Sequence, residues 1–138
     1  MGNTTSIKKV NFEDIQNILS HNGKNNVILI NILKNNSESQ KCILPNTVSY
    51  YEEETLINDY LKKNKEIRII IYGMNANDIT VYEKYTQLME LGFINVYVYP
   101  GGMFEWLLLQ DIYSDELFKT TTKELDILKF KPHTQFMD

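Results

Sequence analysis

Three short apolar segments constrain this chain more than anything else in it. They read VILINIL (27–33), IRIIIY (67–72) and INVYVY (94–99). Each is rich in β-branched or aromatic side chains and nearly continuous in apolar character, as strands covered on both faces must be. The stretches between them have helical spacing. A doubly covered strand needs a layer on each side, and parallel strands joined by crossover helices supply it. The expected fold class is therefore α/β, a three-layer α/β/α sandwich with a mainly parallel central sheet.

The helices carry their own start and stop signals. Asn11 caps a helix reaching about Ser20, with Glu13 and Asp14 in its first turn and Phe12, Ile15, Ile18 and Leu19 facing inward. Ser49 and Glu52 make a capping box for a helix over 50–63, whose apolar face is Leu56, Ile57, Tyr60 and Leu61. Asp78 caps a helix over 79–91, with Val81, Tyr85 and Leu88 inward and Gly92 as its stop. Pro100 and the Gly101-Gly102 pair close the third strand and lead into a helix bearing Phe104, Trp106, Leu107 and Leu108. The segment CILPNTVSYY predicts one short strand near Ile43 or Val48, and a further short helix is expected near 115–118. Beyond Thr120, the residues Leu125, Ile127, Leu128 and Phe130 are available to pack back onto the domain.

Composition excludes several classes of function. With 138 residues, 14 basic and 18 acidic side chains and a net charge of -4, the chain lacks the basic surplus of a nucleic-acid binder. Arg68 is the only arginine, so bidentate clamps on phosphate are nearly excluded. The single cysteine, Cys42, excludes an internal disulfide and suits a reducing, cytoplasmic setting. His21 and His133 lie far apart in loop and tail, so neither a metal nor another cofactor is expected. No apolar run approaches the roughly 18 residues of a membrane span. The start, MGNTTSIKK, does place Gly2 behind the initiator Met and Ser6 at the hydroxyl position of the N-myristoylation pattern. The other reading of that start is an ordinary flexible terminus over residues 1–8. A single myristoyl chain binds bilayers with K on the order of 10⁴ M⁻¹, so acylation at Gly2 would give only reversible membrane association.

One family resemblance emerges from LMELGFINVYVYPGGMFEW. Leu91-Gly92-Phe93 leads from a helix into a strand, and Gly101-Gly102 opens a helix with Trp106 four positions later. Together with the opening helix NFEDIQNIL, this resembles a rhodanese-like domain over residues 9–119, leaving 120–138 as an extension. The resemblance implies an active-site loop between a strand and a helix. In active members a cysteine there is held as thiolate or persulfide by curled backbone N–H groups and the helix dipole. The corresponding loop is Gly73, Met74, Asn75, Ala76, Asn77 and Asp78, in the stretch IRIIIYGMNAND. Aligned from Tyr72 the family cysteine falls on Gly73; counted back from Gly92 it falls nearer Asn75.

Neither position carries sulfur, and the loop has no serine or arginine. Asp78 can satisfy the loop N–H groups itself, which disfavours an anionic intermediate. The aspartate and arginine expected after the first strand are replaced by Asn31, Ile32 and Leu33, and the family's His-Ile-Pro-Gly-Ala segment by CILPNT. The resemblance thus implies a vestigial active-site loop with no catalytic residue. The implied function is a non-catalytic interaction or scaffold module for a protein partner. The alternative is a sulfurtransferase or phosphatase-like enzyme with a relocated nucleophile, either Cys42 or the group Asp78, Asn75 and Asn77.

Overall fold

The computed structural model describes residues 6–20, 26–32 and 42–136. Three parallel strands, β1 (Val27–Asn31), β2 (Arg68–Tyr72) and β3 (Val96–Tyr99), lie in the order β1-β2-β3. Leu29 stands opposite Ile70, and Ile70 opposite Tyr97. The helices α1 (Phe12–Ser20), α2 (Tyr50–Lys63), α3 (Ile79–Leu91) and α4 (Gly102–Ile112) alternate with them. Single bridges widen the sheet at both edges. Thr47 pairs beside Leu29, with Val48 N–H on Leu29 O at 2.9 Å, and Lys9 pairs beside Val98.

Side chains alternate across the strands, and the two faces have separate cores. On one face Leu29, Ile70, Tyr72 and Tyr99 pack with Ile15 of α1 and Met103, Trp106 and Leu107 of α4. On the other, Ile28, Ile30, Ile69, Ile71, Val96 and Val98 pack with Ile57 of α2 and Val81, Tyr85 and Leu88 of α3. The expected three-layer sandwich is the fold observed. Burial of each β2 isoleucine stabilises it by about 1.5–3 kcal/mol, far above any strand propensity, so the central strand is set by its two helix layers.

Local signals mostly act as the chain pattern predicts. Asn11 Oδ1 accepts from Asp14 N–H at 3.1 Å, while Asp14 Oδ2 accepts from Asn11 N–H at 3.0 Å. Gly92 ends α3 in the left-handed region, at φ 111°. Three details differ. Ser49 caps α2 through Tyr51 N–H, one residue earlier than a capping box bonds. β3 begins at Val96, because Ile94 is exposed and its N–H turns to Lys65 O. Residues 115–118 form a turn instead of a helix: Ser114 O accepts from Phe118 N–H, and the buried Phe118 ring meets Trp106 edge-on at 5.0 Å. The core's need for that ring stops the helix.

The C-terminal extension packs on the domain. It contains a 3₁₀ turn, Ile127–Phe130, that seats Phe130 in the α1/α4-side core at 2% exposure.

Candidate functional site

The strand-to-helix loop, residues 73–78, is held from three sides. From beneath, the first turn of α4 donates to it: Met103 N–H to Gly73 O at 3.0 Å and Phe104 N–H to Met74 O at 2.8 Å. The α4 N-terminus thus spends two of its orphan donors on loop carbonyls. This close approach explains the second glycine of the Gly-Gly pair. Gly102 has φ 62°, and a Cβ there would stand 2.6 Å from Gly73 O and 2.9 Å from the Met74 carbonyl carbon.

From within, the loop is tied by its own polar side chains. Asp78 Oδ2 accepts from Met74 N–H at 3.2 Å, and Asp78 Oδ1 accepts from Thr80 N–H at 3.2 Å and from the Thr80 hydroxyl. Asn75 Oδ1 accepts from Asn77 N–H at 2.9 Å, and Asn75 O from Asp78 N–H at 3.3 Å. Asp78 is therefore both the α3 cap and a fixed carboxylate inside the loop. Donors at this helix start that would favour a bound anion are already occupied by an anion of the chain itself.

Gly73 is buried, and no side chain fits on it as the loop stands. An added Cβ would lie 2.6 Å from Asp78 Oδ2, 2.8 Å from Val81 Cγ2 and 2.9 Å from Ile32 Cδ1. Asn75 is half-buried and Ala76 and Asn77 are exposed. Of the two positions at which a family cysteine falls, only Asn75 leaves room for one.

From above, the C-terminal extension bonds to the loop: Asn75 Nδ2 donates to Phe130 O at 2.8 Å. Nothing in the local sequence pattern signals this contact, which spans 55 positions and depends on one main-chain carbonyl.

The other candidates lie elsewhere. Cys42 is 3% exposed, its thiol donates to Thr122 O at 3.2 Å, and burial pushes its pKa up. A nucleophile needs the opposite shift. A residue that sequence reasoning overlooked is Tyr72, fully buried at the end of β2. Its hydroxyl accepts from Leu44 N–H at 3.1 Å and shares a 2.6 Å hydrogen bond with the Thr47 hydroxyl, pinning the segment before α2 to the central strand. Of the acidic run 52–54, Glu53 forms an ion pair with Lys84 across α2 and α3. Glu83 is exposed on α3. His133 is exposed, and no metal-holding cluster occurs among the described residues. Gly2, His21 and Leu33 lie outside the described residues, among which no helix is long and apolar enough to cross a membrane.

With this geometry, comparison with known proteins is decisive on family. A family model described as "Rhodanese-like domain" matches residues 13–109. The chain belongs to the rhodanese-like domain family. Its fold matches BH2092 of Bacillus halodurans (TM-score 0.60, 16% identity, covering 90% of each chain). It also matches the single-domain sulfurtransferase RDL2 of Saccharomyces cerevisiae (TM-score 0.58, 16% identity, 80% of this chain and 97% of that one). A third match is the Alr3790 protein of Anabaena (TM-score 0.56, 18% identity, 72% and 86%). A search of curated proteins returns no match. At such identities the structural likeness establishes the rhodanese-like fold, and the chemistry must be argued from this domain's own loop.

Proposed function

We propose that this rhodanese-like domain has no sulfur-transfer activity and serves as a protein-interaction module. One observation carries the proposal. The Asp78 carboxylate sits 2.6 Å from where a Cβ on Gly73 would lie and takes the Met74 N–H. A thiolate or persulfide in this loop would face that charge at close range with its stabilising donors partly occupied, and a carboxylate nearby disfavours a second anion. Losing the nucleophile leaves the scaffold intact, because the hydrogen bonds from α4 to the loop join main-chain atoms and Met74 still packs on the core. Cys42 offers no substitute, being buried against the extension. We further propose that acylation at Gly2 brings the module reversibly to membranes, on the strength of the MGNTTS start.

Thiosulfate:cyanide sulfurtransferase activity tests the first proposal, with the expected result at background. Activity that disappears in Cys42→Ser would overturn it. For the second, intact mass after co-expression with an N-myristoyltransferase should rise by one acyl chain, and Gly2→Ala should stay unmodified; an unmodified wild-type chain ends the idea.

A further inference from the structure

The segment 119–131 lies on the domain in the manner of a bound peptide. Fixed side chains of the body read its main chain. Trp106 Nε1 donates to Lys119 O at 2.9 Å, Cys42 Sγ to Thr122 O at 3.2 Å and Asn75 Nδ2 to Phe130 O at 2.8 Å. Thr121 N–H donates to Ile43 O at 2.9 Å, and Thr121 Oγ1 accepts from Ile43 N–H at 3.1 Å. One aromatic side chain is buried, Phe130 at 2%, while Leu125 at 83% and Leu128 at 61% face outward. Ile127 is half-buried beside the same core, and main-chain bonds with pocketed side-chain anchors are how folded surfaces take extended peptides. The donors come from α4, the 73–78 loop and the segment before α2, so the surface is built by the domain and only occupied by the extension.

We propose that this face is the domain's docking site for an extended peptide bearing a bulky aromatic anchor, and that residues 119–131 occupy it as an intramolecular ligand which a partner must displace. The inference rests on the interaction-module reading and names the class of partner. A tethered segment competes at an effective concentration of about millimolar, so a free peptide gains access chiefly when the tether's anchor is weakened.

The test uses the full chain. Phe130→Ala removes the anchor, and a fluorescently labelled peptide with the sequence of residues 119–133 is the probe, read by anisotropy. Binding should be at least about ten-fold tighter to Phe130→Ala than to wild type, and lost for a probe whose own phenylalanine is alanine. Hydrogen exchange on the same protein locates the opening. The amides of Thr121, Lys129 and Lys131 should exchange about 100-fold faster in Phe130→Ala, with those of Ile69, Ile70 and Ile71 unchanged. If Phe130→Ala fails to fold, Asn75→Asp replaces it. That change keeps the Oδ1 acceptor for Asn77 and sets a carboxylate against Phe130 O. Equal probe binding by wild type and the opened variant, no binding to the opened variant, or faster exchange of the extension and β2 together would each overturn the proposal. Sulfurtransferase activity alongside an exchangeable segment would instead overturn the non-catalytic reading alone.

Discussion

Restoring a cysteine to the loop distinguishes its two alignments on stability alone. In Gly73→Cys the new Cβ meets Asp78 Oδ2, Val81 Cγ2 and Ile32 Cδ1 at 2.6–2.9 Å, distances that real Cβ atoms essentially never show. Relief requires Asp78 to swing out, giving up its bonds to Met74 and Thr80, while Val81 is held by the α3 core. Overpacking costs about 1–3 kcal/mol and the lost cap about 1 kcal/mol, so about 2–4 kcal/mol together. Asn75→Cys gives up the bonds to Asn77 N–H and Phe130 O on a half-buried residue. At about 0.5–1 kcal/mol each, that is about 1–2 kcal/mol. Urea unfolding followed by Trp106, the single and fully buried tryptophan, measures both. With m of about 2 kcal/mol/M, Gly73→Cys should lower the midpoint by about 1–2 M and Asn75→Cys by less. In a Cys42→Ser background, only the Asn75→Cys chain should remain folded well enough for a persulfide assay by intact mass. A Gly73→Cys midpoint within about 0.3 M of wild type, below which Asn75→Cys falls, would refute the steric reasoning.

Gly102→Ala should be more damaging still. It places a Cβ against loop backbone at φ 62°, where no side chain can yield, and soluble expression or the urea midpoint should drop by the equivalent of about 3 kcal/mol or more. Tyr72→Phe should cost about 1–3 kcal/mol by stranding the buried Leu44 N–H, measured by the same unfolding assay. Burial holds the Tyr72 pKa up at about 12 against an ordinary value of 10.0, so its neutral form is favoured by folding. That stability is complete below pH 10 and is lost as pH rises from about 10 to 12, by at most about 2–3 kcal/mol. Tyr72→Phe should flatten this alkaline limb without abolishing it, because burial also raises the Tyr99 pKa. Cys42 should react with an aromatic disulfide reagent at neutral pH only at a rate set by local opening. Prompt reaction in the native chain would contradict its 3% exposure and its bond to Thr122 O.

How much of this was legible without coordinates follows the range of the interactions involved. The three strands, the caps at Asn11, Ser49 and Asp78 and the stop at Gly92 depend on residues within a few positions of one another. Periodicity and capping chemistry therefore expose them. The missing sulfur in residues 73–78 is equally a property of the sequence, and so is the Gly-Gly-to-Trp106 spacing that carries the family likeness. The short helix expected at 115–118 failed because local propensity there is weaker than the core's demand for Phe118.

The amino-acid sequence alone determined the α/β class, the order of its elements and the absence of a cysteine from the loop. Only the tertiary structure decided that Gly73 has no space for a side chain, that the Asp78 carboxylate takes the Met74 N–H, and that the Phe130 carbonyl takes the Asn75 amide. Those facts join Ile32 after β1, the 73–78 loop, Val81 of α3 and the C-terminal extension, and their long-range contacts arise from the shared burial of distant segments, which no local pattern encodes.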